Sequence, residues 1–139
     1  MSTPDSDASA APGAPMPAGL EATVADALRC YRSGISDDGL LSTLLIYRQA
    51  LHQQNGHARL ANNHVLEQGL SALRRHNAPA ADLLELRYLD NWPIDRVANT
   101  LNFAESTIYR QQREAIHQLS GELLRLDQAQ RQAREQRVA

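Results

Sequence analysis

Arg110 and Arg113 stand three residues apart in a stretch that also holds Ser106, Thr107, Tyr109, Gln111 and His117. Arginine presents a planar fork of donors that matches phosphate oxygens and the O6/N7 edge of guanine. Glutamine can pair with an adenine edge, and hydroxyls near a helix start can hold phosphates. Projected at about 100° per residue, Ser106, Arg110, Arg113 and His117 share one side of a helix. Ile108, Ala115, Ile116, Leu119, Leu123 and Leu126 share the other. One face is made for burial and the other for a polyanion. Loss of one base-reading arginine from such a face costs about 1–3 kcal/mol of binding.

Other chemistries find little support. The histidines His52, His57, His64, His76 and His117 include no pair four apart, the spacing that places two ligands on one helix face. There is one cysteine, Cys30, and no Gly-rich phosphate loop, so the sequence predicts no metal site, no cofactor and no enzyme. Cys30 reads as a small apolar residue on a helix. Tyr88 and Trp92 read as packing residues of the core or a turn. With aromatics at 4%, a reader built on stacked bases is excluded. All 14 basic residues are arginine, which suits forked recognition and also follows from GC-rich coding. A single cysteine excludes an intrachain disulfide and suits a reducing cytoplasm. No basic-then-apolar leader opens the chain and no apolar run reaches membrane-spanning length, so no membrane partner is expected.

The helix that carries the arginines must be held by others. In a helix-turn-helix the preceding helix has a small residue at the close contact, and the turn has Gly or Asn in a left-handed conformation. Ala98 and Asn102 meet those needs, with Leu101 and Phe103 expected as flanking core residues. Pro93 suits the first turn of a short helix over 93–101 whose Ile94, Val97, Ala98 and Leu101 face inward. Ahead of it, Leu83, Leu84, Leu86 and Tyr88 predict an amphipathic helix over 80–89, with 90–92 as a short connection. The helix of Arg110 starts at Ala104 or Glu105 and runs to at least Leu126.

Apolar spacing predicts three further helices upstream, over 20–32, 40–51 and 57–76, broken at Ser33-Gly34, at 53–56 and at 77–79, with 36–39 a turn or the start of the second helix. Residues 1–19, rich in Ala, Pro, Ser, Gly and Asp, read as a disordered leader. Residues 127–139 have helix propensity but no apolar face and are expected to extend the last helix and fray. The expected fold is all-α: an N-terminal helical segment at 20–78, a trihelical helix-turn-helix at 79–126 with a long last helix, and a polar helical tail.

The segment from about 80 to 126 resembles region 4 of bacterial sigma factors and related response-regulator output domains. The residues that carry the resemblance are Leu86-Arg87-Tyr88-Leu89-Asp90, then Val97 to Phe103, then Ser106 to Ile116. The resemblance covers about a third of the chain. It implies that the helix from Ser106 reads the major groove of double-stranded DNA and regulates transcription in a bacterial cytoplasm. Ser106, Thr107, Tyr109, Arg110, Gln111, Arg113 and His117 would make the contacts. The pattern departs from the family at three places: Asn102 replaces the turn glycine, Ala104 replaces the capping serine, and Gln112 replaces an apolar residue. A Ser-to-Ala cap change is worth roughly 1 kcal/mol. Gln112 needs a polar partner, which an interface would supply. The chain is too short to hold the polymerase-binding region of a complete sigma factor. A weaker resemblance covers Ala27-Leu28-Arg29 and Leu40 to Leu45, similar to a helical leader that precedes sigma-like segments in some bacterial regulators.

Charge restrains the DNA reading. Net charge is -2, and from 91 to 126 four arginines face four acids. Affinity per monomer would be low, so a homodimer, RNA polymerase or a signalling protein is the expected partner. The rival reading is a helical protein-interaction or adaptor module. Ile116, Leu119, Leu123 and Leu126 are spaced as a short coiled-coil seam, but two heptads are too few for an independent coiled coil and the same four residues are expected first to complete the bundle core.

Overall fold

The structure, a computed structural model, describes residues 17–33 and 41–138. Most of the leader, the predicted turn or helix start at 36–39 and Leu40 lie outside the described residues. Six α-helices follow one another: α1 (Leu20–Ser33), α2 (Leu45–Gln53), α3 (Ala58–His76), α4 (Ala78–Leu84), α5 (Ile94–Leu101) and α6 (Glu105–Val138). A π turn, Glu85–Leu89, continues α4. Among the described residues there is no strand.

Apolar residues three and four apart drive the burial. Leu20, Val24, Ala27 and Leu28 of α1, Ala61, Val65, Leu66, Leu70 and Leu73 of α3, and Ala115, Ile116, Leu119 and Leu123 of α6 enter one core. α6 is the spine, touching each of the other five helices. Three of the four residues of the predicted seam are therefore consumed inside the molecule: Leu119 and Leu123 are fully buried and Ile116 nearly so, while Leu126 is partly buried against the core. Gly69 of α3 explains how close that packing is. A Cβ there would stand 2.7 Å from a Leu123 methyl and 2.8 Å from a Leu119 methyl.

A second, smaller cluster gathers Leu83, Val97, Ala98 and Ile108, with Leu86, Trp92, Ile94 and Leu101 packed around it. It fastens α5 and the start of α6 to α4. Asn102 lies in the left-handed region (φ 63°, ψ 46°), as the turn requires. The Phe103 N–H donates back to the Ala98 carbonyl at 3.0 Å, which satisfies a carbonyl at the end of α5.

Several expectations need correction. The helix expected from 40 begins only at Leu45, and Leu41 to Leu44 form a turn although Leu41 and Leu44 are buried. Its start is capped from afar. Asp127 Oδ1 accepts from the Ile46 N–H at 3.0 Å, and Arg131 donates to Asp127 at 2.8 Å and to the Thr43 carbonyl at 3.2 Å. The start of the polar tail is thus tied to α2 and to the turn before it. The helix expected over 80–89 widens at Glu85, where Asp90 N–H reaches the Glu85 carbonyl five residues back. Pro93 caps α5 in an extended conformation instead of opening its first turn. Phe103 is not a core residue, being 46% exposed.

Candidate functional site

The site is the start of α6 and the two elements that aim it. α5 ends in the Asn102 turn, and Ile108 of α6 is fully buried against Val97 and Ala98. Burial of Ile108 on one side turns Ser106, Tyr109, Arg110 and Arg113 outward, where all four are exposed. Among the described residues, neither Arg110 nor Arg113 forms an ion pair. Their forks are free to meet an external anion. The first turn adds unpaired backbone N–H groups and the positive end of the helix dipole, beside Ser106 and Thr107. Ala104 accepts from the Ile108 N–H at 3.1 Å through its carbonyl, but its methyl side chain cannot cap.

The seven predicted residues do not form one group. Ser106, Tyr109, Arg110 and Arg113 share the exposed stripe, and Thr107 is half-buried at its edge. Gln111 points to the opposite flank, into a groove shared with Leu83, Leu101, Phe103 and Ala115. His117 is exposed but hydrogen-bonded to Glu21 of α1, which ties it to the bundle. Gln112 has its partner inside the chain, not across an interface. Arg87 of the π turn donates from Nε to Gln112 Oε1 at 2.9 Å, and from a terminal nitrogen to the Trp92 carbonyl at 2.8 Å. One arginine therefore locks α6, the π turn and the loop before α5 together. The sequence marked Arg87 as a polar residue of an amphipathic helix and as part of the Leu86–Asp90 resemblance, without this bridging role.

Arg96 was also unforeseen. Its guanidinium lies 3.8 Å from the centre of the Trp92 ring, in cation–π range. That stack places a further cation on exposed α5, near the loop before it. The groove beside Gln111 has a volume of about 410 Å³, and the half-exposed ring of Phe103 forms part of its wall. Among the described residues no cluster of His, Cys, Asp and Glu is arranged to hold a metal. Among the described residues no helix is long and apolar enough to cross a membrane. No family model, curated protein or solved structure matches this chain.

Proposed function

We propose that the chain binds double-stranded DNA through the start of α6 and regulates transcription. One observation carries this reading: the exposed stripe of Ser106, Tyr109, Arg110 and Arg113, whose arginines have no internal counter-charge, backed by a buried Ile108. A helix of this kind, projecting from a turn and short partner helix, has the dimensions and donor set for the major groove. The resemblance to sigma region 4 supports the same orientation and a bacterial cytoplasmic setting.

Local charge near zero sets the expected strength. With few phosphates neutralised, binding is weak per monomer and falls with salt on a shallow slope. A second copy or RNA polymerase would add the missing contacts. The surface for a second copy is not the Ile116–Leu123 stripe, which is buried.

The test is an unbiased selection of bound DNA at defined salt, followed by binding to the enriched site. Arg110→Ala combined with Arg113→Ala is expected to abolish the shift while helicity and melting temperature stay unchanged, because both side chains are exposed. A double variant that still binds at low salt rejects the recognition-helix assignment. If selection enriches nothing, the protein-interaction reading takes over. That reading has its own support in the groove walled by Leu83, Leu101 and Phe103.

A further inference from the structure

Between α1, the π turn and α6 lies a half-open cleft of about 540 Å³ that the DNA-facing stripe does not use. Arg29 and Arg32 enter it from α1, Arg87 and Tyr88 from the π turn, Asn91 from the following loop and Gln112 from α6. The fully buried Leu28 also lines it. Three of the lining residues are arginines and none is acidic.

Two of the guanidinium groups are oriented by neutral partners. Arg87 is held by Gln112 and the Trp92 carbonyl, and Arg32 donates to the Leu89 carbonyl at 3.1 Å. Such partners fix direction without cancelling charge. Arginine has about five N–H donors, so both groups keep donors for a ligand. Among the described residues neither Arg32 nor Arg87 forms an ion pair. Arg29 pairs with Asp26 on its own helix, in an exposed contact that a ligand displaces at little cost. The Arg87 guanidinium lies 5.9 Å from the centre of the Tyr88 ring, and burial pushes the Tyr88 hydroxyl up against the opposing charges of Arg29 and Arg87, so it stays a donor at neutral pH. Like charges converging on a half-buried space repel until an anion joins them.

We infer that this cleft binds a phosphate group, with Arg32 and Arg87 forking onto its oxygens and Arg29 adding charge at the rim. Three convergent cations fit a tetrahedral, multiply charged anion better than a single carboxylate. The phosphate is supplied either by a small phosphorylated ligand or by the backbone of DNA.

The full-length chain, isotope-labelled, is titrated with inorganic phosphate while chloride holds ionic strength constant. Saturable shifts are expected in the Arg32, Arg87 and Gln112 side-chain resonances, with Arg110 and Arg113 moving far less. Arg32→Gln, on the exposed face of α1, is expected to weaken phosphate binding by about tenfold or more and to leave helicity unchanged, the lost bond to the Leu89 carbonyl lowering the melting temperature only slightly. Shifts that do not saturate, or that spread evenly over the arginines, overturn the site, and so does undiminished affinity in R32Q. Two further arms name the source. A duplex that moves the cleft resonances in competition with phosphate assigns the site to the DNA backbone. A nucleoside monophosphate that saturates the cleft, while duplex moves only Arg110 and Arg113, assigns a small ligand. The phosphate titration involves no DNA, so it stays readable if the chain binds none.

Discussion

At the scale of single residues, the turn before α6 rests on Asn102. Its φ of 63° lies where a Cβ normally crowds the backbone. Asparagine tolerates that region, and the same choice recurs at Asn55 and Asn91, both at φ 58°. Asn102→Ala is expected to destabilise the fold by about 1–2 kcal/mol, whereas Asn102→Gly is close to neutral, since glycine accepts positive φ freely. Chemical denaturation of the two variants checks this, and equal losses would mean that the side chain, not the backbone, holds the turn. Gln112 teaches a related lesson. Set among apolar positions, it looks like a mark of oligomerisation, but a single arginine of the same chain satisfies it.

At the scale of elements, α2 shows what local pattern can and cannot specify. The run from Leu40 to Ile46 is apolar except at Ser42 and Thr43, so periodicity alone does not separate a helix from a buried turn. The starting point is decided by Asp127, 81 positions away, which caps the Ile46 N–H. Asp127→Ala leaves that buried donor without a partner and is expected to cost about 1–3 kcal/mol. Hydrogen exchange should speed up at Ile46 more than in the middle of α2, and Asp127→Asn, which keeps an acceptor, should restore part of the protection. Uniform exchange across α2 in the alanine variant would refute the cap. Legibility elsewhere follows the same division. Helices α1, α3 and α6 were readable because their leucines recur at helical spacing, and α5 because Ala98 and Asn102 mark its two contacts. The outward stripe of Arg110 and Arg113 was readable for the same reason. The widening at Glu85–Leu89, the exposed Phe103 and the arginine cleft were not. The cleft depends on side chains brought together from distant elements, as Arg32 and Arg87 are, and no local period encodes that.

At the scale of the whole molecule, pH stability reports how α1 is fastened to α3. The Tyr31 hydroxyl donates to Glu67, and burial first, then that hydrogen bond and the charge of Glu67, push Tyr31 from 10.0 up to about 12. The folded state therefore keeps a proton that the unfolded chain releases. This contribution is intact below pH 10 and is lost as pH rises from 10 to about 12. Urea unfolding across that range should show stability falling, and Tyr31→Phe should flatten the decline without removing it, since Tyr88 shifts in the same direction. An unchanged slope in the variant would place the alkaline transition on other groups. The long helix α6 has a wider consequence. Its 34 residues form one rod of about 51 Å at the usual rise, anchored near the turn by Ile108 and further along by Asp127. The residues of its first turn and those of its last are held at a fixed separation and a fixed rotational phase. One residue inserted beyond Arg131 swings the residues downstream by about 100° around the helix axis, whereas seven bring them back to within about 20° of their original bearing.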